Sequence, residues 1–248
     1  MGGNLNGMLP MLRFLSALVI APLGAVGPGA AGAGQPEPYP VLVELFTSQG
    51  CSACPPADKL FAELAARDNV TALALHVDYW DYIGWEDSFA HPAFTERQKA
   101  YARAAGTTRV YTPEMIVAGQ DRLKGYDAMP ILDAIARHHG ADTEVRLEAV
   151  RAPDDVIRIQ LQAEGVLDPV VKVHLVRYAP RRSVKITEGE NAGRSVTYHN
   201  VVTGWEMLTE WDGREALTLS PQAAPDDPHV VILQRTDHGP VLAVAELP

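Results

Sequence analysis

A chain of 248 residues with 31 acidic against 21 basic side chains carries a formal net charge of −10. That balance leaves no basic stripe for a phosphate backbone and argues against a nucleic-acid partner. With 47% hydrophobic and 7% aromatic residues the composition is globular rather than that of a disordered acidic polymer, and the length suits two domains.

Residues 1–33 have the pattern of a secretory signal peptide. MGGNLNGMLPMLR ends in a single basic residue, Arg13, the apolar run FLSALVIAPLGAV follows, and small residues lead to Ala31-Gly32-Ala33, where cleavage is expected. The apolar run is short and broken by Gly and Pro, so no stable membrane span is expected after cleavage. No cysteine follows it for a lipid anchor, and Arg13 lacks the neighbour that a twin-arginine signal needs. The mature protein is expected to be exported, periplasmic or secreted. Residues 34–40, which end in PEPYP, form a stiff linker.

From Val41 the elements follow in order. VLVELF (Val41–Phe46) is a near-continuous apolar run bounded by turn formers, the pattern of a buried strand. ADKLFAELAARD then places Leu60, Phe61, Leu64 and Ala65 on one helical face. VTALALHV (Val70–Val77) is a second buried strand, and AFTERQKAYARAAG is a helix with Gly106 at its C-terminal cap. Glu114–Ala118 and Asp121–Lys124 are strands joined through Gly119-Gln120, and Ala128–His139 is a helix closed by Gly140. Strands alternating with helices over residues 41–141 predict a βαβ unit followed by an antiparallel hairpin. From Thr143 the pattern changes to eight short segments that alternate apolar with polar residues, EVRLEAV to PVLAVAEL. They predict a separate domain over 142–248, an antiparallel β-sandwich without a long helix.

The chain has two cysteines, Cys51 and Cys54, in FTSQGCSACPPAD. In an oxidising compartment such a pair can stay joined. As a staple it is weak, because closing a four-residue loop contributes only about 2 kcal/mol in the chain-entropy model. Its position between a buried strand and a helix points to chemistry instead. Unpaired N–H groups and the positive end of the helix dipole favour a thiolate there. Pro55 and Pro56 fit the first helical turn, which starts the helix near Cys54 and leaves Cys51 just outside as the exposed nucleophile. Tyr111-Thr112-Pro113 stands immediately before the strand EMIV, roughly 60 residues past the cysteines. In this topology a cis Thr112-Pro113 bond would present Thr112 backbone groups to them.

The βαβαββα order, the helix-starting CxxC and the Thr-Pro before the third strand resemble the thioredoxin superfamily. The wording VELFTSQGCSACPPAD, HVDYWDYIGWEDSFAHPAFTERQKAY, VYTPEMIV and GENAGRSVTYHNVV is similar to one branch, a family of secreted bacterial proteins known as domain of unknown function 1223. The resemblance runs from about Pro40 to the C-terminus and implies a thioredoxin-like fold with Cys51 as attacking thiol, Cys54 as resolving thiol and Pro113 as the cis-proline. It also puts Glu44 where thioredoxins keep a buried acid, with one extra residue in the intervening loop. Glu44 then either takes the proton of Cys54 or is a strand-end carboxylate facing solvent. Gln49-Gly50 stands where a Trp is usual, and Ser52-Ala53 matches neither the Gly-Pro of a reductase nor the Pro-His of a strong oxidant, so the direction of electron flow is open.

The leading expectation is an exported thiol–disulfide oxidoreductase that forms a mixed disulfide with a protein thiol or disulfide substrate and needs no cofactor. One alternative is Cu(I) binding by the two thiolates with His76 or His91. Another is a non-catalytic module whose fold only displays loops. The aromatic segment HVDYWDYIGWEDSF suits either a rim for a peptide substrate or a long connection packing its own core, and the second is favoured.

Overall fold

The computed structural model describes residues 1–3 and 38–248, so the expected signal peptide and most of the linker lie outside the described residues. The unit Glu37–Pro248 is built around an eight-stranded sheet of order β11-β10-β7-β8-β2-β1-β3-β4. Its first strands are β1 (Val41–Thr47) and β2 (Val70–His76), paired in parallel from Val41↔Val70 to Thr47↔His76. β3 (Glu114–Val117) and β4 (Asp121–Lys124) continue the sheet antiparallel to β1.

Every residue of β1 and β2 is buried because both faces of the sheet are covered there. Val41, Val43 and Leu45 pack with Ala57, Phe61 and Leu64 of α1 (Pro55–Leu64) and with Ile131 and Ile135 of α3 (Ala128–His138). The alternate residues Leu42 and Phe46 pack with Phe94 and Tyr101 of α2 (Pro92–Ala104) on the other face. Gly106, just past the cap of α2, has φ 71°, and the Thr107 N–H is bonded to the Ala102 carbonyl at 2.9 Å. The β3–β4 turn lies one residue earlier than the sequence predicts. Ala118 and Gly119 both take positive φ (52° and 70°), and the Gln120 N–H closes onto the Val117 carbonyl, a left-handed turn that suits hairpin twist.

The second half is rich in strand, and no α-helix follows α3 among the described residues. Its strands do not form a sandwich apart from the first half, which corrects the expected boundary at 141/142. β7 (Val171–Lys185), β8 (Ser195–Trp211), β10 (His229–Arg235) and β11 (Val241–Leu247) extend the first sheet, joined through the parallel contact of Ala74 with Val201. Among the described residues β5 (Val145–Arg151), β6 (Ile157–Ala163) and β9 (Leu217–Leu219) alone form a second sheet. Ile157, Ile159 and Leu161 of that small sheet share a core with Val171, Val173, Val231 and Leu233 of the large one. Alternation along each strand predicted the strands but could not name the partner of β8. Its registered pair, Ala74 and Val201, joins residues 127 positions apart.

Candidate functional site

β1 ends at Thr47, and a short loop carries the chain to Cys54, the residue that precedes α1. Pro55 and Pro56 fill the first helical turn, where an N–H has no intrahelical partner to lose. Cys51 and Cys54 are joined in a disulfide, and Cys54 donates its backbone N–H to the Cys51 carbonyl. Ser52 and Ala53 are exposed, but Cys51 is 1% and Cys54 0% exposed. The expectation of an exposed Cys51 is therefore corrected, because other segments cover it.

Two loops form the cover. The first follows β2: a Cβ on Gly50 would meet Trp80 Cβ at 3.3 Å and Ile83 Cδ1 at 3.5 Å, so Gly50 allows the CxxC loop to lie against that segment. Gln49 ties the two together, donating its backbone N–H to Asp87 Oδ2 at 2.7 Å and accepting from Trp85 Nε1 at 2.8 Å. The second cover is the β7–β8 connection. Asn191 reaches in from it and donates through Nδ2 to the carbonyls of Gln49 and Cys51, both at 2.9 Å. A Cβ on Gly189, in the same connection, would lie 3.1 Å from Trp85 Cβ, so the two covers touch.

Beneath the motif lies a polar layer. Thr47 and His76 are paired in register, and strand alternation turns both toward α1. Thr47 Oγ1 donates to Asp58 Oδ1 at 2.8 Å. Asp58 is four residues past Cys54, and its N–H bonds to the Cys54 carbonyl, which sets it on the helix face of that cysteine. Burial lifts the Asp58 carboxyl from 3.8 to about 7, against the lowering effect of the Thr47 bond and of His76. The buried His76 holds Asp87 through Nδ1 at 2.7 Å, while its sealed Nε2 has no partner among the described residues. The edges of Phe89 and Tyr198 enclose its ring, at centroid distances of 5.3 and 4.8 Å. Burial raises the Tyr198 phenol well above its ordinary value.

The predicted residues divide. Thr112-Pro113 is cis, Thr112 Oγ1 accepts from Trp80 Nε1 at 2.6 Å, and a Cβ on Gly125 would sit 3.0 Å from Pro113 Cβ and 3.2 Å from Ala57 Cβ. Pro113 therefore lies beside the first turn of α1. Glu44 does not join the motif. It sits in the even-numbered row of β1, on the α2 face, where its fully buried carboxylate accepts from Arg97 Nε at 2.6 Å and from the Tyr101 hydroxyl at 2.5 Å. Both roles considered for it, proton acceptor and solvent-facing carboxylate, are overturned. His91 is exposed and caps α2 by accepting the Ala93 N–H, and no set of three metal-ligating side chains gathers among the described residues. In the aromatic segment Tyr79, Trp80, Trp85 and Phe89 are partly buried in their own packing, and Tyr82 is 81% exposed. Asp58, Asp87, Asn191 and Tyr198 complete the site, and sequence reasoning gave none of them a role. Asp58 had a signal in its spacing of four from Cys54. Asn191 had only the phrase GENAG.

The family profile recorded as protein of unknown function DUF1223 matches residues 42–234. The crystal structure of protein AGR_C_4864 from Agrobacterium tumefaciens, a structural genomics target, is 31% identical with a TM-score of 0.71, over 84% of this chain and 93% of that one. No curated protein matches the chain. The chain belongs to the DUF1223 family, whose description assigns no activity.

Proposed function

We propose that this DUF1223 member has a thioredoxin-like fold and works as an exported thiol–disulfide oxidoreductase through the Cys51–Cys54 pair. The observation that carries this reading is the placement of the disulfide at the start of α1, above a carboxyl that burial pushes up to about 7. A substrate thiolate attacks Cys51 Sγ, the Cys51–Cys54 bond breaks, and its electron pair leaves on Cys54 as a thiolate. Asp58, protonated below about pH 7, stands on the same helix face to supply a proton to that sulfur. A second substrate thiolate then attacks the mixed disulfide and releases Cys51. The substrate has lost two electrons and gained a disulfide, and the pair has become a dithiol. The reverse sequence reduces a substrate disulfide, and the relative potentials choose between them. Exchange begins with displacement of a cover, because Ser52 and Ala53 alone of the motif reach solvent.

Burial of both sulfurs favours a second reading, a binding module whose disulfide only pins the loop. Trapping separates the two. Offered a polypeptide that contains a disulfide, reduced Cys54→Ser protein should accumulate a covalent complex through Cys51, visible on a non-reducing gel. Cys51→Ser should not. Equal patterns from both variants would remove the oxidoreductase reading and leave the module.

A further inference from the structure

The Asn191 side chain is 3% exposed, and its orientation is forced. Two carbonyl oxygens, of Gln49 and Cys51, lie 2.9 Å from its terminal nitrogen, and only an amide N–H₂ can face two acceptors at once. Its Oδ1 is thereby fixed on the other side of the same group. That oxygen is sealed from solvent and has no donor among the described residues. A buried acceptor without a donor is costly, and native structures tolerate few of them.

The oxidised motif cannot relieve this, because a disulfide has no hydrogen to donate. Reduction adds two electrons and two protons and creates two S–H donors in the same buried place. Asn191 is bonded directly to the Cys51 carbonyl, which sets its amide against the residue that carries the sulfur. Resting on the oxidoreductase reading, we infer that Asn191 is a positioning residue for the dithiol state: its Oδ1 accepts the Cys51 S–H and biases the couple toward the reduced form. The two Nδ2 bonds go to backbone carbonyls, and losing them affects both redox states alike. The acceptor acts in one state only.

The test is the equilibrium of the pair with a reduced and oxidised glutathione series, read by alkylation and mass, for wild type and Asn191→Leu. Leu is similar in size and has no acceptor to leave unpaired. The expected result is a shift toward the disulfide of about fivefold to tenfold in the equilibrium constant, the low end for a buried acceptor because S–H is a weak donor. No shift, or a shift toward the dithiol, would overturn the inference while leaving the oxidoreductase reading intact. A wild-type pair that never equilibrates with glutathione would overturn both. Should Asn191→Leu fold poorly, the infrared S–H band of Cys51 in Cys54→Ser decides. A band lowered to the position of a hydrogen-bonded thiol supports the contact to Asn191, and a band at the free-thiol position rejects it.

Discussion

Replacing Asp58 with Asn removes the charge that the site beneath Cys54 tolerates least. The carboxyl rises from 3.8 to about 7 through burial, so the folded protein holds a proton that the unfolded chain releases. Between those two values folding takes up the proton, and stability falls as pH rises. The contribution is fully present below 3.8 and lost by the time pH passes about 7. At about 1.4 kcal/mol per pH unit the interval corresponds to about 4 kcal/mol, and the partial exposure of the residue lowers this to about 2–4 kcal/mol. Asn keeps a carbonyl oxygen for the Thr47 hydroxyl and never ionises. Asp58→Asn should therefore match wild type near pH 4 and exceed it by about 2–4 kcal/mol at pH 8. The assay is urea unfolding with the disulfide intact, run on both proteins from pH 4 to 8. The difference between them isolates Asp58 from histidines whose slopes run the other way. A difference that is flat in pH, or a variant less stable at pH 8, would refute the assignment.

Two histidines give the opposing slope. Burial holds His174 near 3 and His238 near 4, below the ordinary 6.5, so both stay neutral in the fold, and their stabilisation is lost as pH falls from 6.5 toward those values. His238→Asn, which suits the positive φ of 56° there, should flatten urea midpoints between pH 6.5 and 4. On the α2 face, Arg97 is bonded to Glu44, Tyr101 and Gln234 and lies 3.9 Å from the Trp205 ring centroid. Arg97→Met leaves the Glu44 carboxylate buried and unpaired, and urea unfolding should record a loss of about 3–5 kcal/mol. Adding Glu44→Leu should recover most of it, and a double variant no better than the single would contradict the pairing.

Much of the first half is legible in the sequence because local signals agree there. The apolar runs of β1 and β2, the proline pair after Cys54 and the glycines after α2 and α3 each mark an element, and together they bring Cys51, Cys54 and Pro113 to one end of the sheet. Glu44 was misplaced for a geometric reason. It and Thr47 are three apart on a strand of period two and so face opposite sides, and a family analogy with one extra loop residue carried no information about the face. Pro180 made VKVHLVRY and RSVKITE look like separate strands. It belongs instead to β7, beyond Arg177, where the pairing with β10 has ended and a missing N–H costs little. Asn191 could be given no role from the sequence because its partners Gln49 and Cys51 lie 142 and 140 positions away. Nothing local to GENAG shows that the β7–β8 connection covers the motif.

The central claim is that the covered Cys51–Cys54 pair exchanges electrons with a polypeptide. Its most direct measurement is a single-turnover reaction of the oxidised protein with a reduced, unfolded polypeptide dithiol, quenched by alkylation and counted by mass. The account predicts one substrate disulfide formed for each Cys51–Cys54 bond opened, and none with Cys51→Ser. A native protein whose pair stays closed while the substrate thiols stay reduced, and which likewise leaves a substrate disulfide untouched once its own pair has been reduced, would contradict it.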